Sequence, residues 1–180
     1  MKFTETRLKN AFLIETEPRK DERGFFLRTF CSREFAGYGL RTNMVQSNLS
    51  HSVSKFTLRG MHYQSDGAEE AKLVRCSRGR IWDVIIDLRP GSPTYCQHQG
   101  FELSGENNLM LYVPEGFAHG FITLVDNSEV FYQVSNFYDP SREHGVRWND
   151  KIFGIEWPTT RPVISAKDSA HPDYVPLKRT

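Results

Sequence analysis

A cation, an imidazole and an amide crowd one short segment, Arg59-Gly60-Met61-His62-Tyr63-Gln64. Together they can hold an anion and take up a proton near neutral pH. On a strand, Leu58, Gly60, His62 and Gln64 share one face while Arg59, Met61 and Tyr63 share the other. Arg59 and His62 then point apart. A bulge at Gly60 would re-aim one of them and bring both to a common cavity. Taken alone, the pair reads equally well as a hydrogen-bonded core histidine beside a surface cation, so its companions must decide.

Pro114-x-Gly116-x-x-His119 invites comparison with the metal-binding cupins, whose first motif needs a His-x-His pair followed by an acid. Here Tyr63 and Gln64 follow His62. With His62 and His119 as the obvious imidazoles and Lys72 nearby, a transition metal is poorly supplied, and no metal is expected. The glycines Gly37 and Gly39 do not make a dinucleotide loop, because Thr42 stands where a third glycine belongs and no strand leads in.

The elements that must position these residues are mostly short strands. Ala11 to Glu15 reads as the first, followed by a polar turn from Pro18 to Gly24 that delivers Arg23 beside Phe25 and Phe26. Ser32 to Ala36 reads as a capped helix turn stopped by Gly37 and Gly39. Ile81 to Leu88 puts Trp82, Val84, Ile86 and Leu88 on one face, and Ile81 and Ile85 with Asp83 and Asp87 on the other. Strands are expected at Met110 to Val113 and Phe121 to Val125, with the histidine motif as the connection between them. Glu129 to Tyr138 alternates so that Tyr132 and Tyr138 face one pocket. This spacing indicates an all-β fold, a jelly-roll β-sandwich with a few short helices. The tail is irregular, and Ser165-x-x-Asp168 has the form of a capping box.

The 180 residues fit one domain spanning 1–180, 25% charged and 38% hydrophobic. A net charge of +1 argues against a nucleic-acid partner but leaves room for local arginines around an anionic ligand. Cys31, Cys76 and Cys96 match neither a disulfide framework nor a metal motif, which points to a reducing compartment. The N-terminus lacks a leader's apolar core and no apolar run approaches the ~18 residues of a membrane span, so a cytoplasmic location is expected.

The segments DERGFF (21–26), RGMHYQ (59–64), KLVR (72–75), VPEGFAHGF (113–121), FYQVSNFY (131–138), WND (148–150) and SAKD (165–168) together resemble, in content and order, the dTDP-4-dehydrorhamnose 3,5-epimerases and their nucleotide-sugar relatives. The resemblance implies a cofactor-free, cupin-like epimerase, acting as a homodimer on a 4-keto-6-deoxy sugar carried by a nucleoside diphosphate. It implies His62 as base, Asp168 orienting it, Lys72 facing the developing oxyanion and Tyr132 returning a proton from the opposite face. By the same resemblance, Arg23 and Arg59 hold the diphosphate, Gln46 and Asn48 touch the nucleotide, Tyr138 stacks on its base, and Phe26 reaches that base from the partner subunit. His119, Glu143 and Lys167 match further ligand-side positions.

Three departures bear on specificity. Arg28 stands where many members carry glutamate, Ser47 replaces an aspartate, and Leu49 with His51 replaces a His and Arg pair. They leave open a relative that inverts a single centre or takes another keto sugar. A metal-dependent cupin enzyme and a non-catalytic sugar-nucleotide module are the readings from other classes.

Overall fold

A computed structural model of the protein describes residues 1–177. One antiparallel sheet runs, in spatial order, β1 (Lys2–Glu5), β2 (Phe12–Glu15), β10 (Leu109–Val113), β7 (Lys72–Arg78), β12 (Ser128–Val134) and β5 (Gln46–Ser52). The other runs β13 (Glu143–Gly145), β6 (Thr57–Gln64), β11 (Phe117–Thr123), β8 (Arg80–Asp87) and β9 (His98–Ser104), with β14 (Val163–Ile164) parallel to β6. Val74, Leu111 and Val130 from the first sheet pack on Ile81, Ile85, Phe101 and Phe121 from the second, which makes the jelly-roll sandwich core.

Part of each outer face is also covered. The helix α1 (Ser32–Gly37) lays Phe35 over Ile14, Leu73 and Met110 of the first sheet. Val84 and Ile86 of β8 emerge on the far side of the second sheet, where Phe153, Ile155, Trp157 and Tyr174 of the C-terminal segment close over them. That is why Ile81 to Leu88 is apolar on both faces. Asp150 ties this segment down by accepting the Tyr174 N–H at 2.6 Å, and the Pro172 carbonyl accepts the Arg147 N–H at 2.9 Å.

Several expectations shift. The histidine motif is not a connection: β11 begins at Phe117, because β6 and β8 flank it and pair with His119 from both sides. The strand through Tyr132 ends at Val134 rather than Tyr138. Residues 18–24 fall largely within a hairpin, β3 (Arg19–Asp21) and β4 (Gly24–Phe26), that belongs to neither sheet. Ser32 lies inside α1, whose N-cap position is Cys31.

The bulge at Gly60 is present. Arg59 pairs with Phe121 and His62 with His119, so Gly60 and Met61 oppose Gly120 alone. Gly60 has φ +132°, and a Cβ there would stand 2.6 Å from the Gly120 Cα. Only glycine meets both demands.

Candidate active site

The shift of register at Gly60 sends Met61 into the outer core and leaves both Arg59 and His62 lining one cavity of about 580 Å³ between the sheets. β6 supplies these two and β11 supplies His119. From the facing sheet, β7 supplies Lys72 and β12 supplies Tyr132. The short helix α2 (Ala166–Ser169) brings Lys167 and Asp168 to the rim, beside Tyr138 and Glu143.

His62 and Asp168, 106 positions apart, meet at 2.8 Å between Nε2 and Oδ1. The Gly60 N–H donates to the other carboxylate oxygen at 3.2 Å. Burial pushes the Asp168 carboxyl up, but the His62 hydrogen bond and charge, helped by Gly60, outweigh it and hold the group below the usual carboxylate range. The capping box is half formed: Ser165 Oγ accepts the Asp168 N–H at 3.0 Å, while the Asp168 side chain turns to the imidazole instead of the cap. Asp168 is therefore held by the helix cap through its N–H and pairs with the histidine through its side chain.

Lys72 is buried and paired with Glu70 at 3.2 Å. Glu70 was not foreseen as a site residue; its signal was the Glu70-x-Lys72 spacing, which puts both side chains on one face of an extended chain. Burial raises the Tyr132 phenol pKa, the nearby Glu70 and Glu143 carboxylates raise it further, and Arg59 opposes them. The phenol thus keeps its proton through neutral pH. His119 Nε2 meets Asp83 Oδ2 at 2.9 Å, a second histidine-carboxylate pair and one in which both partners are buried.

The Tyr138 hydroxyl donates to Glu143 Oε2 at 2.8 Å, and Lys167 Nζ reaches the same oxygen at 2.5 Å. Burial would raise the Glu143 carboxyl, yet these two donors hold it low. Gln46 Oε1 accepts the Tyr138 N–H at 2.7 Å, which fixes the loop carrying that ring, and Gln46 and Asn48 line a depression adjoining the main cavity. Arg59 is steadied by Ser52 Oγ at 3.3 Å and the His51 carbonyl at 3.1 Å.

Two expected residues join neither the cavity of this chain nor its adjoining depression. Arg23 is exposed and pairs with Asp21, and Phe26, 69% exposed, stands on the outlying hairpin. Of the departures, Arg28 pairs with Glu34 at 3.0 Å, Ser47 accepts from Gln133 at 3.3 Å, His51 faces Glu129 at 3.5 Å, and Leu49 is exposed.

A further histidine was missed. His171 lies three residues beyond Asp168, a spacing that shares a helix face, and its Nε2 is 3.8 Å from Asp168 Oδ1. Burial and the neighbouring His62 charge lower its pKa, against the pull of Asp168. The supply of possible metal donors is thus richer than the sequence indicated, through His171 rather than His119.

A jelly roll that gathers a histidine-carboxylate pair, an ammonium and a protonated phenol from opposite sheets into one cavity has the build of an isomerase that moves protons on a bound small molecule. The chain belongs to the dTDP-4-dehydrorhamnose 3,5-epimerase family, whose model matches residues 5–175. It is 43% identical over 169 residues to dTDP-4-dehydrorhamnose 3,5-epimerase of Salmonella typhimurium, covering 93% of this chain and 92% of that one. The crystal structure of the Bacillus anthracis enzyme of that name, with TDP and PPi bound, superposes with a TM-score of 0.93 at 41% identity, covering 96% of this chain and 99% of that one. The Legionella pneumophila enzyme in complex with dTDP-4-keto-L-rhamnose gives 0.90 at 37% identity, with 96% and 92% covered.

Proposed function

We propose that the protein inverts C3 and C5 of a dTDP-linked 4-keto-6-deoxy sugar without a cofactor. The C4 ketone makes the hydrogens on C3 and C5 removable, because the electron pair left by the proton passes into the carbonyl as an enolate. Asp168 holds His62 Nε2, so Nδ1 is the nitrogen with a lone pair to accept that proton, and the carboxylate stabilises the imidazolium that results. Lys72 balances the enolate oxygen; loss of such a stabiliser costs roughly 2.7–4 kcal/mol of activation free energy. Tyr132 gives its proton to the opposite face of the carbon and the enolate collapses to the ketone. Proton exchange with water returns both groups to their starting state, and no electron is gained or lost.

The observation that carries this reading is that His62 and Tyr132 come from facing sheets into one cavity, as inversion at a planar carbon requires. Arg59 fits the diphosphate as a guanidinium fork, while Tyr138, Glu143, Lys167, Gln46 and Asn48 fit the nucleotide end. Arg23 and Phe26 enter this reading through a homodimer in which each hairpin completes the other chain's site. No helix among the described residues is long and apolar enough to cross a membrane.

Incubation with dTDP-4-keto-6-deoxyglucose in heavy water tests it. Deuterium is expected at both C3 and C5 and is expected to vanish in His62→Ala, with dTDP affinity nearly unchanged. Label at one carbon reduces the reading to a single-centre epimerase. Label at neither removes this substrate.

A further inference from the structure

His62, Asp168 and His171 each offer one ligand atom, and these three atoms all lie within 4.8 Å of one another. Two imidazoles and one carboxylate are an ordinary donor set for zinc, which leaves a fourth position open in sites with three protein ligands. Donors on one tetrahedral zinc stand roughly 3.4 Å apart, given metal–ligand distances of about 2.0–2.1 Å. The separations from Asp168 Oδ1, 2.8 Å to His62 and 3.8 Å to His171, bracket that value.

His171 supplies the independent observation. Its Nε2 is buried without a hydrogen-bond partner. The ring is also wedged in place: a Cβ on Gly145 would stand 2.3 Å from its Nε2 and Cε1, so the glycine makes room for the imidazole there. It meets His62 edge to face with centroids 5.7 Å apart. The epimerase chemistry above gives this ring no task.

We propose that His62, Asp168 and His171 form an inhibitory site for Zn²⁺, in which the cation takes the place of the proton between His62 and Asp168. The binding half stands on the donor geometry alone, and the inhibitory half rests on the proposed base role of His62. Once a cation occupies Nε2, the imidazole proton resides on Nδ1. The nitrogen that must accept the substrate proton then has no lone pair to offer, so the base is switched off without any change of fold.

The test uses the full chain, stripped with EDTA and titrated with zinc chloride by calorimetry, with deuterium exchange followed in parallel. One Zn²⁺ per chain is expected, with exchange suppressed at saturation and restored by EDTA. His171→Asn is expected to keep metal-free exchange within about twofold and to bind Zn²⁺ at least about 10–100-fold more weakly, since losing a ligand costs no less than losing a group that only supports one. Equal Zn²⁺ affinity in His171→Asn, or saturation that leaves exchange intact, overturns the proposal. If that variant does not fold, Co²⁺ bound to the wild-type chain decides: the intense visible absorption of a tetrahedral ion supports the site, and the weak absorption of an octahedral one overturns it. Absence of exchange in the metal-free wild type would defeat the functional reading, and the calorimetry would still judge the site.

Discussion

Tyr132 can act as an acid only if it reaches the reaction protonated, and its setting provides for that: burial, with Glu70 and Glu143 nearby, raises the phenol pKa above its ordinary value near 10. Any alkaline loss of rate due to this group is therefore expected above pH 10. Tyr132→Phe is expected to lower product formation by about 10²–10⁴-fold, the usual worth of a positioned general acid. If His62 removes the proton and Tyr132 returns one from the other face, as proposed, washout of substrate hydrogen should persist in the variant. Equal loss of washout and inversion would mean that one group does both. Asp168 makes a second prediction, on stability. Its folded pKa lies below the unfolded one, so its contribution is present above pH 4 and lost as pH falls through the folded value. Thermal melts of wild type and Asp168→Asn should differ at pH 7, by about 1–3 kcal/mol for a buried charge-assisted bond, and converge in acid below pH 4.

At the scale of elements, the site depends on one extra residue in one strand. Without the bulge, Arg59 and His62 would fall on opposite faces of β6, as simple alternation demands. Gly60→Ala places a methyl 2.6 Å from the Gly120 Cα at a φ of +132°, with backbone rather than a flexible side chain in the way. Destabilisation of about 2–4 kcal/mol is expected from overpacking and backbone strain, measured by urea denaturation, together with loss of exchange beyond what unfolding explains. Full stability in this variant would show that β6 can reach the same geometry by another register. Gly60 and the alternation through Tyr132 were legible in the sequence because they express local rules. The strand through His119 was not, since its neighbours β6 and β8, distant in sequence, impose it on a segment that reads as a turn. Nor could spacing alone pair His119 with Asp83 or bring Asp168 and His171 to His62, because those contacts arise from β8 packing beside β11 and from the tail folding back over the second sheet.

At the scale of the whole molecule, one chain leaves apolar groups exposed where the resemblance assigns binding work. The hairpin β3–β4 stands apart from both sheets with Phe25 57% and Phe26 69% exposed, and β5 is the outermost strand of its sheet and carries the exposed Leu49. Arg23 sits on the same hairpin, away from the cavity of its own chain. If each hairpin instead completes the site of a second copy, His62 and Phe26 of one active site come from different chains, and two defective chains can repair one another. Phe26→Ser and His62→Ala are each expected to be poor at low substrate, the first through lost stacking on the base and the second through lost proton abstraction. In a mixed dimer, one site carries both defects and the other carries neither. Random re-pairing of equal amounts makes half the dimers mixed, so recovery to about a quarter of wild-type activity is expected. Activity no greater than the mean of the two parents after demonstrated exchange of chains would place Phe26 and His62 in the same chain's site, and the exposed hairpin would then require another explanation.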